Sequence, residues 1–233
     1  MLEEVWRRAA ASRSIDRLVV ATDDSRIMHA AGGFGAEVRR TSREHASGTD
    51  RVAEVVRRAG DGFDLVVNIQ GDEPLLTPTS LDRLVEAFDA PAAPQMATLA
   101  EAIVDVNDLF DPNVVKLVTD AEGRALYFSR SPIPYHRGDT ERLATDFREA
   151  LGRREDGLHG YRKHQGIYAY TREALFTLTR LDPSPLEVDE GLEQLRALQA
   201  GFQIQVVDSD FRSMSVDTPA DLERVSKMLT EAE

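Results

Sequence analysis

The sequence predicts an α/β fold in three layers, built on a mostly parallel sheet. Three observations carry this. Short apolar runs alternate with helix-periodic segments along most of the chain. The run Leu65-Val66-Val67-Asn68-Ile69 breaks into Gln70-Gly71-Asp72-Glu73-Pro74, as a buried parallel strand does at its carboxyl end. The 233 residues suffice for one ordinary domain with its own core.

In chain order, Leu2, Val5, Trp6 and Ala9 have helical spacing, so residues 2–11 form a helix. Residues 17–22 make a short strand ending at Asp23-Asp24. A helix over 25–31 is closed by Gly32-Gly33, and 36–39 is another strand. Ser47 caps the helix that follows, with Asp50 three residues on. Strand 64–70 comes next, then helix 79–88 and a Pro-rich surface loop. Residues 96–103 form a strand, and 114–119 pairs with 125–129 as a hairpin around Asp120–Gly123. Residues 137–163 form a charged excursion with one helix and do not mark a domain boundary. Strand 164–170, helix 173–179, one long helix over 186–200 and strand 203–207 follow. Thr218 caps the last helix, Pro219 is its first residue and Asp221 is a first-turn acid. Gly191 falls inside the 186–200 helix, where glycine costs about 1 kcal/mol relative to alanine, and close packing is one reason to keep it.

Composition narrows the chemistry. With no cysteine, disulfides, thiolate metal sites and a cysteine nucleophile are excluded. The formal charge of −13 argues against nucleic acid as a partner. It leaves a nucleotide open, because a divalent cation bridges acid to phosphate. There is no apolar run long enough for a membrane span, and the start lacks a signal peptide's apolar core, which reads as cytoplasmic. Neither GxGxxG nor GxxxxGK[ST] occurs, and Gly32-Gly33-Phe34-Gly35 follows a helix and reads as a turn.

Asp72 lies where open α/β sheets bind ligands, outside a strand's carboxyl end. Asp217, in Ser215-Val216-Asp217-Thr218-Pro219, is its natural partner in a hard-oxygen site for Mg²⁺. Alone, Asp217 reads rather as an acid favouring the helix macrodipole; paired with Asp72 it reads as a metal ligand. Glu187, Glu190 and Gln194 fall on one face of the 186–200 helix, with Glu193 adjacent; a solvated face is the competing account. His164 precedes an apolar strand, where a structural role competes with a functional one.

Six collinear strings complete the reading: HASGTDRVAEVV (45–56), VVNIQGDEP (66–74), DPNVVKLVTDAEGRALYFSRSPIPY (111–135), HQGIYAY (164–170), PSPLE with LEQLRAL (183–198) and VDTPADLERV (216–225). With them the chain resembles the 3-deoxy-manno-octulosonate cytidylyltransferases, the CMP-Kdo synthetases of lipopolysaccharide biosynthesis. The resemblance runs from residue 17 to the end and leaves mainly 137–163 unmatched. It implies a Rossmann-like nucleotidyltransferase fold that transfers CMP from CTP to the acid sugar Kdo, releasing pyrophosphate, with Mg²⁺ as cofactor. It assigns metal binding to Asp72 and Asp217, and the cytidine and sugar wall to Ser47, Gly48, Thr49 and Gln70. The Kdo pocket falls to Arg130, His164, Glu193 and Gln194. It further implies a cytoplasmic homodimer, with a middle region of about 124–170 in a single 1–233 domain contributing to sugar pocket and dimer contact.

One departure matters. The family opens with a central strand and a loop of the form PARxxSxRxPGKPL, then GKPM, and neither string occurs here. Met1 aligns near the methionine after the second lysine. A start codon assigned too late and a true short protein both account for this. The expectation is that the first strand is absent, that strands 17–22 and 64–70 face a gap, and that the chain as given has little or no activity. Two other readings stay open. One is a cytidylyltransferase for a modified Kdo or another acid sugar such as sialic acid, the latter opposed by LEQLR and HQGIY. The other is a non-catalytic remnant that binds a partner or sugar.

Overall fold

The computed structural model describes residues 1–60, 62–137, 146–152, 158–214 and 219–231. Its main sheet has six strands: β3 (Leu65–Asn68), β4 (Met96–Ala102), β5 (Lys116–Thr119), β6 (Ala125–Ser129), β7 (Arg162–Thr171) and β8 (Ile204–Asp208). Their order is β6-β5-β7-β4-β8, with β3 also paired to β7. β4 and β8 are parallel, whereas β7 runs antiparallel to β3, β4 and β5. The α/β class stands, but the sheet is mixed, which corrects the mostly parallel expectation. Apolar periodicity reports that a strand is buried. Its direction depends on whether the preceding connection crosses over or doubles back. The β5–β6 hairpin reverses the chain, and β7 then enters the middle of the sheet running the same way as β6 and opposite to β3, β4 and β5.

Six of the seven β4 residues are buried, as befits a strand flanked on both edges and both faces. Alternate residues feed opposite cores. Met96, Ala100 and Tyr170 pack with Ala53, Leu175 and Leu195, beneath α3 (Gly48–Ala59), α7 (Arg172–Leu178) and α9 (Gln194–Gln199). Ala97, Leu99 and Ala169 pack with Val5, Leu81 and Leu84, beneath α1 (Leu2–Ala10) and α4 (Pro78–Glu86). Helices on both faces give the three layers. A smaller core of Ile103, Leu109, Leu151 and Tyr161 joins α5 (Val106–Phe110) to α6 (Phe147–Gly152), the one helix described within the charged excursion.

β1 (Val19–Thr22) and β2 (Glu37–Arg40) form a separate parallel pair, linked by α2 (Ser25–Gly33). β1 and β3 face each other across a groove of about 810 Å³ lined by Val19, Ala21, Val52, Val56, Val66 and Val67. These are the two strands that the family resemblance sets on either side of an absent strand.

Two expectations about helices change. Gly32 and Gly33 lie within the last turn of α2, and the turn itself is made by Gly35, at φ +84°. The segment 186–200 is two helices, α8 (Pro185–Glu190) and α9, rather than one. Gly191 separates them in the left-handed conformation, φ 63° and ψ 41°, its N–H donating to the Glu187 carbonyl. Glycine adopts that backbone without the Cβ penalty other residues meet, so it ends a helix here and is not a packing contact inside one. Glu187, Glu190 and Gln194 therefore do not share one helix face. Glu187 closes a capping box with Ser184 and pairs with Arg196. Glu190 accepts from Ser129 and from the Arg130 backbone N–H. The last helix, α10 (Pro219–Glu231), begins at Pro219; Thr218 lies outside the described residues.

Candidate active site

The site is organised by an interruption in the sheet. β5 pairs with β7 at Arg162 and Lys163, and β3 pairs with it from Tyr168 to Thr171. Between Lys163 and Tyr168 neither strand is in register with β7. On the opposite edge the β4 register jumps, Thr98 facing Tyr168 while Leu99 faces Gln165, so Gly166 and Ile167 form a bulge. Bulges re-aim side chains and recur beside functional sites. The carboxyl end of β3 opens onto this gap. A Cβ on Gly166 would lie 3.6 Å from Gln70 Cγ, and one on Gly48 would lie 3.9 Å from Gln70 Nε2. Gln70 thus sits between the bulge and the start of α3.

Ser47 caps α3 as the sequence indicated, its hydroxyl oxygen accepting from the Asp50 N–H at 3.2 Å. Thr49 is buried and its hydroxyl donates to the Glu193 carboxylate, tying α3 to the turn between α8 and α9. Tyr168 and Tyr170 lie alongside. Burial raises both phenol pKa values, and the Glu193 charge raises them further; Thr49 and Asn68 oppose this at Tyr170. The His164 ring packs edge-on to Phe128 and tilted against Tyr168, each with centroids 5.2 Å apart. Its Nε2 lies 2.9 Å from Thr98 Oγ1. Burial pulls its pKa down to about 3, so the imidazole is neutral at ordinary pH. Gln194 is buried, and its Nε2 has no hydrogen-bond partner among the described residues. A buried amide donor without a partner is costly unless a ligand supplies the acceptor.

Ser47, Gly48, Thr49, Gln70, His164, Glu193 and Gln194 are thus linked through one continuous neighbourhood. Arg130 stands at its edge. Its Nε, Nη1 and Nη2 donate to the carbonyls of Glu190, Pro112 and Gly191 at 2.6, 2.8 and 3.3 Å. The guanidinium thereby braces the α8–α9 turn that presents Glu193 and Gln194.

Asp72 follows Gln70 in the loop after β3 and keeps partial solvent access. Asp217 lies outside the described residues. Glu73, the residue after Asp72, is buried. Burial raises its pKa to about 7; the Ser213 hydrogen bond pulls against this, and the Asp72 and Glu101 charges add to it. Ser213, four residues before Asp217 in the sequence, donates its hydroxyl to the Glu73 carboxylate. Among the described residues, no three His, Asp or Glu side chains are grouped to hold a metal ion.

The sequence reading missed several residues here. Tyr168 and Tyr170 carried a signal, since a spacing of two places both on one face of the HQGIYAY strand. Glu101 and Ser213 carried none, because their roles depend on the Glu73 carboxylate, 28 and 140 positions away along the chain.

Comparison with known proteins follows the same line. Residues 1–208 match the family model described as cytidylyltransferase. The chain is 46% identical over 229 residues to the 3-deoxy-manno-octulosonate cytidylyltransferase of Geobacter sulfurreducens, covering 98% of this chain and 88% of that protein. It is 46% identical over 234 residues to the enzyme of the same name from Pseudomonas fluorescens, covering 98% and 87%. A solved CMP:2-keto-3-deoxy-manno-octonic acid synthetase in complex with CTP superposes with a TM-score of 0.85 at 37% identity, covering 100% of this chain and 88% of that one. A 4-diphosphocytidyl-2C-methyl-D-erythritol synthase from Anaerococcus prevotii, 11% identical at a TM-score of 0.61, shares the fold.

Proposed function

The chain belongs to the 3-deoxy-manno-octulosonate cytidylyltransferase family, and from that membership we propose that it transfers CMP from CTP to 3-deoxy-manno-octulosonate. A sugar hydroxyl oxygen bonds to the α-phosphorus, the bond from that phosphorus to the bridging oxygen breaks, pyrophosphate leaves and the hydroxyl proton passes to solvent. Such transfers depend mainly on positioning and charge stabilisation, and no side chain forms a covalent intermediate.

The observation that carries the reading is the neighbourhood around the β7 bulge. Gln194 brings a buried amide donor without a partner among the described residues, and Glu193, Gln70 and a neutral imidazole at His164 stand with it. That set suits a polyhydroxylated acid sugar, which offers many hydrogen-bonding groups and little apolar surface. Ser47, Gly48 and Thr49 present the amino end of α3, whose first N–H groups favour an anionic or carbonyl-rich ligand. Arg130 supports the pocket from behind the α8–α9 turn. Asp72 and Asp217 would hold Mg²⁺, and the Glu73–Ser213 contact supports the pairing. When bound, the ion supplies charge stabilisation at the phosphates. The same reading takes a cytoplasmic homodimer, with the 124–170 region at its contact. Leu126 and Tyr135, 61% and 58% exposed within that region, are apolar surface that a partner copy would cover.

Purified protein incubated with CTP, Mg²⁺ and 3-deoxy-manno-octulosonate tests the activity through pyrophosphate release and detection of the CMP-sugar. Gln194→Ala is expected to raise KM for the sugar more than KM for CTP, since it removes a ground-state contact to one substrate. Equal changes in both would assign Gln194 a structural role. Little or no turnover is expected of the chain as given, so absence of CMP-sugar both from it and from a folded version extended by the family's opening strand and loop would overturn the reading.

A further inference from the structure

We propose that Glu73 is a positioning residue for Asp72, anchored in the interior by Ser213 so that its neighbour's carboxylate is held toward the cleft. The proposal rests on the functional reading above, which makes Asp72 a metal ligand.

The anchor is built from four elements. The Ser213 hydroxyl lies 2.7 and 2.8 Å from the two Glu73 carboxylate oxygens and donates to them. The Ser213 backbone N–H donates to Glu101 Oε1 at 2.7 Å. Glu101, at the end of β4, also accepts from Gln165 Nε2 at 3.2 Å and faces the Lys163 ammonium at 3.4 Å. Gln165, beside the bulge in β7, donates in addition to the Phe211 carbonyl at 3.1 Å. The segment from Ser209 onward is fixed as well, Ser209 N–H donating to Ala100 O and Asp210 accepting from Thr77 and Ser80. Ser213 therefore presents its hydroxyl from a rigid support.

Glu73 and Glu101 are only 6% and 7% exposed, with one ammonium near them. Holding two acids in the interior is unfavourable, and apolar residues of similar volume often do as well or better for stability alone. What the arrangement secures is orientation. Adjacent residues of a tight loop diverge, so fixing Glu73 inward turns Asp72 outward and limits the rotation of its backbone. Supporting hydrogen bonds of this kind commonly change metal affinity by 10–100-fold when removed.

The test uses Mn²⁺ as the probe, measured by the loss of its free electron paramagnetic resonance signal, with and without CTP. Ser213→Ala is expected to raise the Mn²⁺ dissociation constant about tenfold. Ser213→Thr, which keeps the hydroxyl, is expected to restore it, and KM for the sugar should stay within a factor of two of wild type, about the scatter expected of a residue outside the sugar contacts. A purely structural Ser213 would lower Tm in Ser213→Ala and leave Mn²⁺ affinity unchanged; that result overturns the proposal. If Ser213→Ala does not fold, Gln165→Met loosens the same support from the β7 side, with the same expected shift and the same refuting result. Wild-type protein that binds no Mn²⁺ even with CTP would remove the metal reading and this proposal together, whereas unchanged affinity in the variants removes the proposal alone.

Discussion

Replacing His164 with glutamine should abolish a specific part of the protein's acid sensitivity. In the folded chain the His164 pKa is down at about 3, because burial against Phe128 and Tyr168 penalises the imidazolium. In the unfolded chain it is about 6.5. Between these two values the unfolded state holds a proton that the folded state does not. Stability from this group is therefore complete above pH 6.5 and is lost as pH falls toward 3, at up to about 1.4 kcal/mol per pH unit. From pH 7 to pH 4.5 the loss comes to about 2.5 kcal/mol, or about 2 kcal/mol allowing for the part of the ring that still meets solvent. Urea unfolding of wild type and His164→Gln at both pH values measures it. With a slope of about 2 kcal/mol per molar, the wild-type midpoint should fall about 1 M further than that of the variant. Carboxylates held low by their partners, such as Asp82 and Glu54, also destabilise in acid, but they are common to both proteins and cancel in the difference. Equal losses in the two proteins would refute the account of His164 as a buried neutral base.

Two further outcomes follow from backbone and burial. Lys116 is fully buried, and its ammonium donates to the carbonyls of Asp111, Val114 and Arg130; Lys116→Met removes all three bonds, with the Val114 N–H remaining as a donor to Asp111, and should cost about 3 kcal/mol in chemical denaturation. Gly191→Ala places a Cβ only 3.8 Å from the Arg130 guanidinium, an ordinary contact, so any loss must come from the left-handed backbone at φ 63°. It should cost about 1 kcal/mol, read as a lower Tm, while Gly201→Ala at φ +84° should behave alike for the same reason.

What the sequence determined by itself was local. Periodicity located nearly every element, since each helix stripe or strand alternation is written in consecutive residues: α3 behind Ser47, the Asp120–Gly123 hairpin, α10 from Pro219. The strings around Thr49, Gln70, His164 and Gln194 named, through the family resemblance, residues that the fold brings into one neighbourhood at the β7 bulge. The reading erred at 186–200, where glycine in a helical pattern leaves helix interior and helix stop equally open, and only the Gly191 dihedral chooses between them. Strand direction lay outside the sequence signal altogether. β7 is buried whether it runs parallel or antiparallel, and its place between β4 and β5 rather than beside β6, whose direction it shares, is a property of the packed sheet. The tertiary structure alone decided the bulge at Gly166, the Thr49–Glu193 bond across 144 positions, and the Glu73–Ser213 anchor across 140. Contacts between residues so far apart depend on how whole layers pack, and no window of neighbouring residues contains that information.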